Sequence, residues 1–209
     1  MSTPTSATGA KTRPNTSEWL RGIVFTALFG ALFIAGSSIH FNFGTSSVPI
    51  TLQTFAVILA GGFLGATYGF FSIFIVIVLT ALGLPLMGDG TGLSKMSGAT
   101  AGFIWMFPIA AFLIGWVSDK LFVPGKRLPL PKLIVFIVST FVLGSLLLYV
   151  AGVPWLAHYS KTLDFQGAID KGMVPYLPGD AVKAVAAALI IATLRPVLPM
   201  VRPSKPQQQ

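Results

Sequence analysis

The chain has 209 residues, 54% of them hydrophobic and only 10% charged, with a mean hydropathy of +0.80. Soluble domains carry about a quarter charged residues, so that class is excluded; the uncharged runs "FFSIFIVIVLTALGLPL" (70–86) and "IVFIVSTFVLGSLLLYVAG" (134–152) read as membrane helices. The net charge of +8 gathers just outside the apolar runs, not in a stripe interleaved with aromatics, which argues against a nucleic-acid partner, and the lack of Cys excludes disulfides and thiolate chemistry.

In chain order, residues 1–17 are rich in Ser, Thr and Pro and predict a disordered tail. The apolar run that follows is too long for a signal-peptide core and lacks a convincing cleavage site, so it is expected to remain as a first span, 18–38. Along it Ala27, Ala31 and Ala35 recur every four residues, a spacing that lets another helix approach closely, whether from within the chain or from a partner. Further spans are predicted over 51–66, 67–84, 100–119, 132–152 and 179–196, the second and third forming a tight hairpin. Residues 200–209 are a second polar tail. The expected fold class is an all-α membrane protein, a six-transmembrane-helix bundle occupying residues 18–199.

An even number of spans puts both termini on one side. With the N-terminus inside, the inner segments hold Lys11, Arg13, Arg21, Lys120, Lys126, Arg127, Lys132, Arg195, Arg202 and Lys205, against Lys95, Lys161 and Lys171 outside. Cytoplasmic excess of Lys and Arg sets orientation, so both termini are expected to be cytoplasmic. The longer loops, 39–50, 85–99 and 153–178, then face outward.

Lys183 belongs to neither set, because it lies inside the last span. Asp180 and Lys183 stand at i and i+3 and share a helix face. Asp180 follows Pro178-Gly179 and can serve the helix N-terminus, but a cation there is unfavourable. A snorkelling or paired Lys is one reading; the other is a paired donor and acceptor facing a pocket, suited to a neutral cyclic urea. Thr51, Gln53 and Thr54 open the second span and either cap it or offer polar contacts to a ligand. "GDGTGLSKMSGATAGF" (88–103) is Gly-rich but contains no phosphate cradle, and reads better as a lid with Gly hinges. His40 and His158 lack metal-ligand spacing. Trp155 and Tyr159 read as interface anchors, with ligand stacking a second use for Trp155.

"VPITLQTFAVILAG", "ALGLPLMGDGTG", "AGFIWMFPIAAFLIGWVSDK", "GVPWLAHY" and "VPYLPGDAVKAVAAALI", in this order across 20–196, resemble the BioY family. These are biotin-specific substrate-binding (S) components of energy-coupling factor transporters. The resemblance implies a pocket for biotin, roofed by the first and third loops and open to the outside. Asp180 and Lys183 are expected to contact the ligand, with Thr51, Gln53, Thr100, Tyr149 and Trp155 completing the site. Ala27, Ala31 and Ala35 are expected to dock on a transmembrane coupling subunit, with two cytoplasmic ATPases supplying energy. It further implies a bacterial cell membrane, no cofactor and no catalytic residue. Members often read Gly-Pro-Thr-Gly-Gly-Tyr where this chain has "GATAGF" (98–103), keeping Thr100 and Gly102. Two other readings are a self-sufficient biotin carrier and an intramembrane aspartyl protease using Asp89 and Asp180.

Overall fold

The computed structural model describes residues 16–41, 50–88 and 92–198. The expected tails lie outside these residues, except that Thr16 and Ser17 already open the first helix. The elements are α1 (Thr16–Ser38), β1 (His40–Phe41), β2 (Ile50–Thr51), α2 (Gln53–Ala81), α3 (Gly92–Ser97), α4 (Ala101–Leu121), α5 (Leu130–Phe141), α6 (Leu147–Tyr159), α7 (Phe165–Gly172) and α8 (Leu177–Leu194). β1 and β2 pair antiparallel over two residues. Among the described residues, five helical stretches are long and apolar enough to cross a membrane: 19–38, α2, α4, α5 through α6, and α7 through α8.

The spans expected over 51–66 and 67–84 are joined in α2, which starts at Gln53, ends at Ala81 and is not a straight rod. Gly65, at φ 76° and ψ −177°, interrupts it, a conformation open to glycine and strained for other residues. A Cβ built on Gly69 would lie 2.9 Å from the Cα of Gly61. Eight residues apart in a straight helix would be separated by about 12 Å along its axis. The chain therefore doubles back at Gly65.

Helix α4 lies against this hairpin through backbone-to-backbone approaches. A Cβ on Gly61 would strike the carbonyl of Ala111, and one on Gly115 would strike the Gly65–Ala66 peptide. Apolar attraction between helices is weak in lipid, so close contact of small residues takes its place. α1 packs on α2 by the same means, since Gly22 meets the ring of Tyr68 and Gly30 meets the carbonyl of Ser72. Ala27, Ala31 and Ala35 are exposed instead. On α8, Ala184, Ala187 and Ala188 turn inward while Val182, Val185 and Leu189 face out. Exposed large apolar side chains recur on α1, α2, α4 and α5 as well, among them Val24, Leu28, Phe71, Ile109 and Val138, as a lipid-facing surface requires.

The segments expected as outer loops differ in three respects. The loop expected from 153 starts later, because α6 continues through Pro154 to Tyr159, placing Trp155 and His158 on its last turns. Within the same loop, α7 is capped by Asp164, whose Oδ1 accepts from the Gly167 amide at 2.9 Å. The lid segment contains α3, a six-residue helix. Between α5 and α6 a π turn over Val142–Leu146 rotates the face presented by the residues that follow. Gly144 in this turn packs on Ile58 and Ile114.

At the opposite end of α8 from Asp180, Arg195 Nη2 donates to Asp119 Oδ1 at 2.6 Å. Asp119 Oδ2 accepts from the Ala66 amide at 3.1 Å, and the Arg195 guanidinium stands over Phe122. One carboxylate thus ties together α4, the α2 turn and the end of α8. Because Asp119 is partly exposed, Asp119→Leu is expected to lower stability by only about 1–3 kcal/mol, seen as a lower midpoint in thermal unfolding in detergent. Adding Arg195→Met should recover part of the loss, since it removes the charge left behind. Gly115→Leu should be far more damaging, abolishing monodisperse protein on size exclusion.

Candidate functional site

The first turn of α8 brings Asp180 beneath α6, where the carboxylate is buried. Its Oδ1 is 3.0 Å from Lys183 Nζ, and its Oδ2 accepts from the Tyr149 hydroxyl at 2.6 Å. Lys183 Nζ also donates to Thr54 Oγ1 across 3.4 Å, reaching α2. The Tyr149 ring is held edge-on against Phe103 of α4, with centroids 6.0 Å apart. An acid and a base from α8, a phenol from α6 and the Thr54 hydroxyl from α2 thus form one hydrogen-bonded cluster. The cluster accounts for Lys183, which capping could not.

The group lines a cavity of about 80 Å3, several times the roughly 10–15 Å3 that one water requires. Its walls combine Thr51, Gln53 and Thr54 from the start of α2 with Lys95 of α3. Thr100, just before α4, joins Phe103, Ile104 and Phe107 within it; α6 adds Leu148 and Tyr149; the end of α7 adds Gly172, and the run into and along α8 adds Tyr176, Asp180 and Lys183. Mostly apolar walls with a few convergent polar groups are the pattern of a small-molecule site.

Local structure explains the placement. The Leu52 amide bonds the Gly36 carbonyl at 3.1 Å, fixing the start of α2 on the end of α1. Thr51 Oγ1 accepts from the Gln53 amide at 3.3 Å and donates to Gln53 Oε1 at 3.2 Å, so Thr51 supports the helix start and lines the cavity at once. Thr100 flanks the start of α4, but its hydroxyl makes no capping bond and lines the cavity.

Of the residues expected at the site, Thr51, Gln53, Thr100, Tyr149, Asp180 and Lys183 come together around the cavity. Trp155 does not line it. Its indole N–H donates to the Gly98 carbonyl at 2.8 Å, and its Cβ fills the space left by Gly102. Trp105, from α4, likewise donates to the Met96 carbonyl at 3.1 Å. Two tryptophans therefore hold α3 and the turn after it. Phe103, Ile104, Phe107, Leu148, Gly172, Tyr176 and Lys95 line the cavity without having been expected there; Lys95 stands in the Gly-rich lid run, Phe103, Ile104 and Phe107 in "AGFIWMFPIA" and Tyr176 in "VPYLPGD", but nothing in those runs singled them out as ligand contacts. The alanines Ala27 and Ala31 line a separate, almost wholly apolar groove between α1 and the second limb of α2. Asp89, needed for a protease dyad, lies outside the described residues. Among those described, no three His, Cys, Asp or Glu side chains converge.

A family model described as the BioY family matches residues 6–200. The chain is 37% identical over 174 residues to a protein of Rhizobium etli named biotin transporter BioY, covering 81% of this chain and 90% of that one. It is also 37% identical to one of Pyrococcus horikoshii named probable biotin transporter BioY, covering 83% and 95%. The fold is similar to a crystal structure of the S-component for biotin from an ECF-type ABC transporter, with a TM-score of 0.77 at 24% identity, covering 88% of this chain and 95% of that one. The chain belongs to the BioY family.

Proposed function

We propose that the protein captures biotin in this cavity and imports it as the S component of an energy-coupling factor transporter. The buried Asp180–Lys183–Tyr149 cluster, facing a cavity that Phe103, Ile104, Phe107 and Leu148 also line, carries the reading. The names of the relatives and of the structural neighbour support it. Biotin joins a cyclic urea to an apolar sulfur ring and an alkyl acid chain. The ureido N–H groups would donate to Asp180, and the ureido oxygen would accept from Lys183 or the Gln53 amide. Phe103, Ile104, Phe107 and Leu148 would cover the apolar body. The chain supplies binding and positioning, and ATP hydrolysis belongs to partner subunits.

Counting the two limbs of α2 separately gives six spans, with both termini cytoplasmic by the distribution of Lys and Arg. The exposed alanines Ala27, Ala31 and Ala35 then form a face for a transmembrane coupling subunit joined to two cytoplasmic ATPases, in a bacterial cell membrane. Transport by this chain alone is the competing reading, and biotin uptake by proteoliposomes containing only this protein would favour it.

Purified protein in detergent should bind radiolabelled biotin. Asp180→Asn and Lys183→Ala should each weaken binding by about 1–3 kcal/mol, and Tyr149→Phe by about 1 kcal/mol. Wild-type affinity in both charge variants would overturn the assignment. Ala31→Trp should abolish co-purification with the coupling subunit while leaving biotin binding by the isolated chain unchanged.

A further inference from the structure

The outward face of α4 takes no part in the ligand cavity or in the contact with α1. Ile109, Phe112, Trp116 and Lys120 follow one another there at steps of three and four residues, and all are exposed. At that spacing they form one stripe down the helix. Beside Ile109 and Phe112 lies an apolar cleft of about 270 Å3, closed on its other side by Thr67, Phe70 and Phe71 of the second limb of α2. Thr67 marks the end of the cleft nearest Lys120, because the adjoining Ala66 amide bonds Asp119 and the Gly65–Ala66 peptide abuts Gly115. At that end the Lys120 ammonium stands 3.5 Å from the centre of the Trp116 ring. Helical side chains lean toward the N-terminus, so Lys120 reaches back one turn, toward the cleft. Asp119 beside it does not cancel this charge, since its carboxylate is paired with Arg195.

We propose that the cleft binds an anionic phospholipid, with an acyl chain between Phe70, Phe71, Ile109 and Phe112 and the headgroup phosphate on the Lys120 ammonium. Length selects a lipid over a partner helix. From Ile109 to Lys120 α4 rises about 16 Å at 1.5 Å per residue, about half of a hydrocarbon core roughly 30 Å thick. The stripe thus matches one leaflet, and in the orientation proposed above that leaflet is the cytoplasmic one. Trp and Lys are residue types that settle at headgroup level, so the ammonium on its indole sets the depth of the phosphate. Charge selects among lipids. A zwitterionic headgroup carries its own cation, whereas an anionic one leaves its phosphate to Lys120, with Lys126 and Arg127 exposed in the loop just beyond. Close helix docking in lipid calls for small residues, and this cleft is walled mainly by Phe and Ile. The groove beside Ala27 and Ala31 is a different one, sharing only Phe71 among the residues that line the two.

The test is native mass spectrometry of the full chain released from nanodiscs holding equal amounts of dioleoyl-phosphatidylglycerol and dioleoyl-phosphatidylcholine. Wild type should retain the anionic lipid over the zwitterionic one by about fivefold, the factor that one lysine near a charged lipid surface supplies. Lys120→Gln should bring the two lipids to parity, and Lys120→Arg should restore the preference. Thr67→Trp, at an exposed position, should plug the cleft and displace both lipids. Absence of any preference in wild type would overturn the proposal, as would a preference that survives Lys120→Gln. Undiminished lipid on Thr67→Trp would equally overturn it, and loss of the coupling subunit from that variant would then mark the cleft as a protein interface.

Discussion

A carboxylate and an ammonium at the edge of a bilayer persist in ionised form only if each has partners that replace water. Asp180 and Lys183 pair with each other and obtain their remaining partners from outside their own helix: the hydroxyl of Tyr149 on one carboxylate oxygen and that of Thr54 beside the ammonium. The pair therefore exists only where α8, α6 and the start of α2 converge. That convergence also leaves a cavity next to the charges. The constraint that makes the ions tolerable is the same one that makes them available to a ligand.

Much of the remaining structure serves to bring these segments together. Ala184, Ala187 and Ala188 let α8 sit close to its neighbours, and Gly62 receives the side chain of Ile191. The reversal at Gly65 folds α2 back on itself, and α4 fills the crook without large side chains between the backbones. Asp119 joins that reversal to the far end of α8, so α8 is held near one terminus by the Tyr149–Asp180 hydrogen bond and near the other by the Arg195–Asp119 ion pair. The intervening surface, crowded with Val, Leu and Ile, is left to lipid.

The apolar runs were plain in the sequence because lipid imposes length and hydrophobicity on each span, and Lys183 stood out because a cation near a helix N-terminus opposes the helix dipole. Its partners were less plain. Tyr149 lies 31 residues before Asp180 and on another helix, and a π turn just upstream changes which side of α6 it occupies. Trp155 reads in one dimension as an interface or stacking residue; only the fold shows Gly98 and Gly102 beside it. α7 did carry a legible signal, Asp164 as a capping residue, which the high loop content of its surroundings obscured. α3 is six residues long, too short for periodicity to register, so Lys95 looked like one more external charge.

The central claim is that the cluster around Asp180 is where the ligand's polar head is read. A structure of the protein with biotin bound measures this most directly. The account predicts the ureido ring within hydrogen-bond distance of Asp180 and of Lys183 or Gln53, with the apolar body against Phe103 and Phe107. Biotin bound elsewhere, with the Asp180–Lys183–Tyr149 bonds undisturbed and the cavity holding only water, would contradict it.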